Sequence, residues 1–248
     1  MQGHKEFSVT AISLRYYDLG EADKIFVLFS KEQGLVKAVA KGIKKAKSKL
    51  SGHLDLLNVN NLIIREGKNM GTITQCETIK VFPKLRLDYD KLIYSLFMGE
   101  LITLFIHEGE ISEDIFDLLI NTLDLLQNAE NTLIYTIWFE IHFLTLLGYQ
   151  SNMSACDICQ ETIPEKNYKL GFSLNTGSVV CSNCLKISSN YKIIDDDIRN
   201  ILKNLKVLDI SNLTSVTADD NLLQKIQTIF KEYFSNLSER KIKTLSII

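Results

Sequence analysis

The sequence lacks any apolar run long enough to cross a bilayer. Its longest apolar stretches, 92–106 and 133–147, are interrupted by Glu100, Glu140 and His142, whereas a spanning helix needs about 20 predominantly apolar residues. No apolar segment follows the polar first six residues, so a secretory signal is not predicted. We therefore expect no membrane contact and a cytoplasmic location, where thiols stay reduced.

Catalytic motifs are also scarce. The phosphate-binding pattern G-x-x-x-x-G-K-[S/T] is missing, and the four histidines, His4, His53, His107 and His142, are scattered. The dense acidic cluster Asp195–Asp197 precedes a helical pattern, which favours a helix start over catalytic carboxylates. We expect a protein that is not an enzyme. A nuclease bearing a zinc ribbon is the alternative, and it would need clustered carboxylates or a three-ligand metal site.

Proline is rare, and both prolines, Pro83 and Pro164, lie at predicted boundaries. Before Pro83 the sequence is rich in β-branched and alternating apolar residues punctuated by glycine, which predicts five strands at 7–14, 24–30, 35–41, 54–65 and 72–81. Five short strands favour a small closed barrel of the OB type, because closure removes exposed strand edges. After Pro83 the apolar spacing becomes helical, with largely buried helices expected at 91–107 and 131–147.

These patterns predict an α+β multidomain fold: a five-stranded OB-fold β-barrel, then an α-helical domain with an inserted zinc-binding element that contains four cysteines. The predicted segments are the barrel at 1–82, the first helical part at 83–149, the zinc-binding insertion at 150–191 and the second helical part at 192–248. Gly148 is expected to cap the helix before the insertion.

Four of the five cysteines form two CxxC pairs, Cys156-Asp-Ile-Cys159 and Cys181-Ser-Asn-Cys184, separated by 21 residues. Each CxxC turn can direct two sulfurs at one ion, and zinc favours four thiolates in a tetrahedron. The pattern therefore predicts one structural zinc ion with Cys156, Cys159, Cys181 and Cys184 as ligands. An iron–sulfur cluster can use the same four ligands and stays open at this point.

The spacer between the two pairs predicts a β-hairpin, with strands at 169–174 and 178–180 around Asn175-Thr176-Gly177. Disulfides conflict with the expected reducing compartment, and a duplicated CxxC without a βαβ pattern argues against a thioredoxin-like redox site. Cys76 stands alone on a predicted strand and is expected to be a small core residue.

Charge is unevenly distributed along the chain. Residues 1–86 contain fifteen Lys and Arg residues against eight acidic residues, a net +7, while the rest of the chain carries −9. Such asymmetry indicates that the N-terminal module faces a polyanion. Between the third and fourth predicted strands, the segment KGIKKAKSK supplies five candidate DNA-binding lysines, namely Lys41, Lys44, Lys45, Lys47 and Lys49. They could neutralise phosphates without reading sequence, or form a merely solvated loop.

Arg15, Tyr16 and Tyr17 are predicted to follow the first strand in a loop. Arg15 is a further candidate DNA contact. The two tyrosines could stack on bases or could be half-buried loop aromatics.

Several segments together resemble RecO, a family of bacterial DNA repair proteins. They are LRYYDLGEADKIFVLFS at 14–30, VAKG at 39–42 with the lysines that follow, GHL at 52–54, and YFSNLSERKIKTL at 233–245. Their order and spacing carry the resemblance, which covers essentially the full chain.

The resemblance implies a recombination mediator of the RecF pathway that is not an enzyme. RecO proteins bind single- and double-stranded DNA, anneal complementary strands, and bind the acidic C-terminal tail of single-stranded-DNA-binding protein. They act with RecR to help load RecA. The resemblance thus implies DNA, RecR and that tail as partners, and association with the nucleoid during repair. An RNA-binding OB-fold protein with a structural zinc is the alternative.

One departure from the usual OB-fold is expected. That fold commonly has a helix between its third and fourth strands, but residues 43–53 are too few for a long helix. We expect a basic loop in its place.

Overall fold

A computed structural model describes residues 5–165 and 169–248 of the chain. The contacts between residues divide it into two compact units, with the boundary between Gln127 and Asn128. The four segments predicted from the sequence were drawn where the residue pattern changes. The division by contacts instead assigns the last of the three α-helices within 83–149 to the second unit and leaves the first two in the first unit.

The N-terminal strands close into the predicted five-stranded barrel, with spatial order β1-β2-β3-β5-β4. Neighbouring strands are antiparallel except β3 and β5, which are parallel and pair only at Ala38↔Gly71 and Val39↔Thr72. The strands are β1 (Glu6–Leu19), β2 (Asp23–Ser30), β3 (Gly34–Ala40), β4 (Val59–Arg65) and β5 (Gly71–Lys80).

The barrel interior is filled by alternate residues of each strand. Phe26 and Leu28 of β2 share it with Leu62 and Ile64 of β4, and all four are almost fully buried. This two-residue period places one face of each strand in the core. The same alternation in the sequence is what made the barrel predictable.

Two strand boundaries differ from the prediction by five residues, and the others agree to within one residue. β1 continues to Leu19 through a bulge between Ser13 and Arg15, so Tyr16 and Tyr17 lie on a strand and not in a loop. β4 begins at Val59, five residues after the predicted start. The preceding residues form turns, with Leu57 in the left-handed region at φ 62°.

The connection from β3 to β4, residues 41–58, contains turns and no helix among the described residues. The expected basic loop is therefore confirmed. Ile43 and Leu54 are buried in the barrel core at either end of this connection, so it is anchored although it has no regular structure.

Two helices complete the first unit, α1 (Tyr89–Phe105) and α2 (Glu113–Leu126). The side chain of Asp88 caps α1 by accepting the Lys91 N–H at 3.1 Å. The helix packs closely on β1, because a Cβ added at Gly99 would lie 3.3 Å from the Leu14 side chain.

Among the described residues, the second unit combines three α-helices with a small antiparallel sheet of order β7-β6-β8. Its elements are α3 (Thr132–Leu146), β6 (Leu170–Ser173), β7 (Val179–Val180), β8 (Tyr191–Ile194), α4 (Asp196–Val207) and α5 (Asp220–Leu237). α3 is buried on most sides, as predicted from its apolar composition. Gly148 adopts φ 92° after α3, as a C-terminal cap requires.

No helix in the described ranges is both long and apolar enough to cross a membrane.

Candidate metal centre and nucleic-acid surface

The four CxxC cysteines converge on one point. The Sγ atoms of Cys156, Cys159, Cys181 and Cys184 all lie within 4.8 Å of one another, and those of Cys159 and Cys181 are 3.9 Å apart. Zinc–thiolate bonds of about 2.3 Å would separate sulfurs in a tetrahedron by about 3.8 Å. The cluster therefore has the dimensions of a site for one tetrahedral metal ion.

The predicted hairpin brings the two CxxC pairs together. β6 pairs with β7 in the register Gly171↔Val180 and Phe172↔Val179, so the second pair begins immediately after β7. The first pair lies against the other edge of β7, where the Asp157 N–H donates to the Val179 carbonyl at 2.8 Å. The β-hairpin in the spacer therefore fixes the position of one CxxC pair relative to the other.

The electrostatics of the cluster favour one thiolate before any ion binds. Burial of Cys156 opposes ionisation, but the N–H groups of Cys181, Cys159 and Ile158 donate to its sulfur and lower its pKa to about 6. Burial, reinforced by the neighbouring sulfurs, raises the pKa of Cys184 to about 12. A cation at the centre would relieve this mutual repulsion, which is how metal sites hold several thiolates together.

The basic segment, defined as residues 41–49, is tied to the turn between β1 and β2. The Gly42 N–H donates to Asp23 Oδ1 at 2.7 Å, and the Lys44 N–H donates to the Ala22 carbonyl at 3.0 Å. Its five lysines are all exposed. Lys44 forms an ion pair with Asp18 at 3.0 Å, and within the described residues the other four, Lys41, Lys45, Lys47 and Lys49, have no acidic partner. Four cationic groups thus remain available to an external anion.

A second cationic feature lies on β1 and β2, next to the basic segment. The Nζ atom of Lys24 lies 3.6 Å from the ring centroid of Tyr16, and the guanidinium carbon of Arg15 lies 4.6 Å from that of Tyr17. Tyr16 and Tyr17 are 38% and 44% exposed, so both residues are partly accessible to solvent. Aromatic faces with adjoining cations are the elements from which proteins build single-strand binding surfaces.

Sequence reasoning missed Lys24 as a member of this surface. Its contact with Tyr16 depends on the pairing Tyr16↔Phe26 across β1 and β2, which places Lys24 two residues away along the adjacent strand. Extending the first predicted strand through residues 15–18 would have indicated this contact, but the composition of these residues, Arg-Tyr-Tyr-Asp, is typical of a loop. The predicted DNA contacts Arg15 and the five lysines stay predictions.

Other predicted features divide between structural roles and exposure. Asp195 caps α4 by accepting the Ile198 N–H at 2.9 Å, which confirms the helix-start interpretation of the acidic cluster. In the C-terminal segment Arg240-Lys241-Ile242-Lys243, Lys241 is exposed while Ile242 is buried. In the described part of the chain, the cysteine cluster is the one group of three or more potential ligands that comes within bonding range of a single metal ion.

Comparison with known proteins gives matches over nearly the entire chain. Residues 1–82 match the family model "Recombination protein O N terminal", and residues 86–246 match "Recombination protein O C terminal". A DNA repair protein RecO from Pelotomaculum thermopropionicum is 30% identical over 98% of this chain and 94% of its own length. A second from Dehalococcoides mccartyi is 30% identical over 97% and 94%, and one from Acetivibrio thermocellus is 27% identical over 96% and 94%.

Proposed function

Because this chain belongs to the RecO family, which acts in DNA repair and recombination, we propose that it is a mediator that binds single- and double-stranded DNA and anneals complementary strands. The observation that carries the proposal is the basic segment, in which four exposed lysines have no acidic partner among the described residues. The segment is hydrogen-bonded to the turn between β1 and β2, next to the Tyr16 and Lys24 pair of the OB-fold barrel.

The proposed mechanism is electrostatic and needs no covalent chemistry. Phosphates of one strand bind the lysines of the basic segment and release condensed counterions. The lowered charge density reduces the repulsion that a second strand meets on approach. The chain thus acts without hydrolysing nucleotides, and we propose that it is not an enzyme.

The family resemblance supplies the proposed partners. RecR and the acidic tail of single-stranded-DNA-binding protein are the expected protein contacts, with loading of RecA as the outcome. The exposed tail residue Lys241 is a further candidate for contacts with phosphate or acidic peptide. The cofactor is proposed to be one zinc ion held by the four cysteines in a structural role, because all four protein ligands leave no open position for water.

Annealing of two complementary oligonucleotides, each coated with single-stranded-DNA-binding protein, tests the proposal. Wild type is expected to anneal them without ATP, as monitored by fluorescence. Changing all five lysines of the basic segment to Ala is expected to abolish annealing in a protein that remains folded. Absence of annealing by folded, metal-loaded wild type would contradict the proposal, and preferential binding of RNA of equal length would favour the RNA-binding alternative.

A matched pair of triple variants separates local contacts from overall charge. Lys45, Lys47 and Lys49 have no ion-pair partner among the described residues, whereas Lys31, Lys37 and Lys80 pair with Asp117, Glu108 and Asp124. Each triple Ala variant removes three positive charges from the same unit. The first is expected to weaken single-strand binding and to reduce the slope of log affinity against log salt by about 0.7 per lost phosphate contact. Equal loss in both would mean that net charge alone acts.

Tyr16 is expected to stack on a base. Tyr16→Ala should lower single-strand affinity by about 1–3 kcal/mol, the range for loss of one base–aromatic stack, while Tyr16→Phe keeps the ring and should bind like wild type. Fluorescence anisotropy with a labelled oligothymidylate measures both. Because Tyr16 also contacts Phe26 at 5.7 Å between ring centroids, melting temperatures establish that the Ala variant is folded. A folded Ala variant with wild-type affinity would remove Tyr16 from the surface.

A further inference from the structure

The small sheet β7-β6-β8 has two edges, and the described residues cover only one of them. At the β7 edge, the Val179 N–H donates to the Asn152 carbonyl at 2.9 Å and the Val179 carbonyl accepts from the Asp157 N–H at 2.8 Å. The chain segment before the first CxxC therefore closes this side of the sheet.

No strand among the described residues pairs with the outer edge of β8. β8 pairs with β6 in the register Phe172↔Lys192 and Leu170↔Ile194, and the Leu174 N–H donates to the Asn190 carbonyl at 3.0 Å in the same phase. Bonding in an antiparallel pair alternates, so residues 190, 192 and 194 direct their backbone groups to β6. Tyr191 and Ile193 direct theirs away from it, and among the described residues they have no backbone partner there.

A groove of about 620 Å³ borders this edge and extends to α5. Its apolar lining includes Ile193, which is 49% exposed although it belongs to a strand. An exposed apolar residue on an unpaired edge is a feature that proteins ordinarily avoid, because it invites pairing with another chain. The apolar lining consists of Ile193, Ile194, Ile198 and Ile229.

The charges at the groove leave two cations without partners. Lys192 pairs with Glu232 at 2.5 Å, and the Asp195 carboxylate accepts the Ile198 N–H. Lys169 and Lys225 also line the groove, and neither has an acidic partner among the described residues. The groove therefore combines unpaired positive charge with an apolar lining.

We propose that the open edge of β8 binds an extended peptide, which adds to the sheet as a fourth strand with apolar side chains in the groove and carboxylates on Lys169 and Lys225. The backbone groups of Tyr191 and Ile193 supply four hydrogen-bonding positions, and peptide recognition by strand addition combines such bonds with side-chain pockets. The inference deepens the partner contact of the proposed function and rests on it for its biological setting. Its binding test uses neither DNA nor another protein, so it succeeds or fails separately from annealing.

The test uses fluorescein-labelled, end-capped peptides and the full-length, metal-loaded chain. The first probe alternates Asp and Val over about eight residues, the second replaces Asp by Lys, and the third is the first with every second backbone amide N-methylated. Fluorescence anisotropy is expected to show binding of the first probe, and at least tenfold weaker binding of the other two. Equal binding of the N-methylated probe would exclude strand addition.

Variants of the chain test the same surface from the protein side. Ile193→Pro removes an N–H that points away from β6, so the existing ladder keeps its bonds while one outward donor is lost. This variant and Lys169→Glu/Lys225→Glu are each expected to weaken binding of the Asp–Val probe at least tenfold. Lys203→Glu changes a lysine of α4 that does not line the groove, and should leave binding unchanged. The Lys169→Glu/Lys225→Glu variant should anneal uncoated complementary oligonucleotides like wild type, because its lysines lie outside the proposed DNA contacts.

Three results would overturn the proposal. They are failure of the Asp–Val probe to bind wild type, wild-type affinity in Lys169→Glu/Lys225→Glu, and a dimer in sedimentation analysis that Ile193→Pro abolishes. The last would assign the β8 edge to a second copy of this chain. Ile193→Pro could also disturb the strand itself. If the melting temperature of this variant is below that of wild type, the result for Lys169→Glu/Lys225→Glu is the one that tests the proposal.

Discussion

Replacing Cys181 by Ser is expected to release the bound metal and to destabilise the second unit strongly. Three thiolates would remain of a site whose four Sγ atoms lie within 4.8 Å of one another. The free energy of metal binding, about 10–16 kcal/mol for small structural zinc sites, is coupled to folding. We therefore expect a loss of several kcal/mol in unfolding free energy, together with loss of zinc by elemental analysis. A chelator should lower the melting temperature of wild type in the same way.

Cys76→Ala is the control for this experiment. Cys76 lies on β5 in the first unit, where it packs against the barrel core outside the cysteine cluster. The variant should keep one zinc per chain and lose only about 1–2 kcal/mol for a partly buried side chain. Full metal content and an unchanged melting point in Cys181→Ser would contradict the four-thiolate site. If wild type contains iron and absorbs visible light through charge transfer, the four cysteines bind an iron–sulfur cluster and not zinc.

Stability is expected to fall as pH rises above the acid range because of Glu140. This residue of α3 is fully buried, and Gln227 of α5 donates its Nε2 to Glu140 Oε1 at 3.1 Å. Burial raises the pKa of Glu140 well above its usual value, more than the Gln227 hydrogen bond and the charge of Lys231 lower it. Glu140 Oε2 and Gln227 Oε1 have no partner among the described residues. A proton on Oε2 would let the acid donate to the amide oxygen and satisfy both.

The direction of the pH effect follows from the raised pKa. Between the unfolded and the folded pKa the native state holds a proton that the unfolded state has released, so stability decreases with increasing pH. The loss is about 1.4 kcal/mol for each pH unit in that window, and below the unfolded value the contribution is constant. Glu140→Gln can donate and accept at the same place without ionising. Its stability advantage over wild type should therefore be greatest near neutral pH and shrink toward pH 4.

Glu140→Ala shows what the pair contributes beyond charge. The substitution leaves Gln227 unpartnered and opens a cavity, for which we expect about 2–4 kcal/mol of destabilisation at any pH. Urea unfolding of wild type and both variants from pH 4 to pH 8 measures the two effects together. If the stability of wild type relative to Glu140→Gln does not fall between pH 5 and pH 8, the buried carboxyl is ionised in the folded state.

Local patterns predicted most of the architecture because they record burial directly. The alternation around Phe26 and Leu28, and the largely apolar composition of α3, each identify their element without reference to the rest of the chain. The CxxC pairs were equally informative, since their spacing restricts the geometry of the ligands. The hairpin between them is confirmed by the register of β6 and β7.

Features that depend on pairing between distant segments were not predictable. Residues 15–18 form a strand because β2 supplies partners across the turn, although their own composition resembles a loop. β8 consists of only four residues. Which of its backbone groups face away from the sheet follows only from its register with β6, in which Lys192 and Ile194 direct theirs toward β6. Lys24 likewise contacts Tyr16 only because β1 pairs with β2. In each case, information carried by a neighbouring strand is missing from the local sequence.

The parallel closure of β3 on β5 has a consequence for the dynamics of the barrel. Only two residue pairs hold that seam, whereas β1 and β4 share seven. Amide hydrogens along the seam should exchange with solvent at lower opening free energies than those of β1, because local opening follows the weakest contacts. β3 ends at Ala40, immediately before the basic segment. Breaking the two-pair ladder between β3 and β5 would let the lysines of that segment move apart while the rest of the barrel stays folded. Under the proposed function, this movement would let the basic segment keep its contacts when a bound nucleic acid changes from one strand to two.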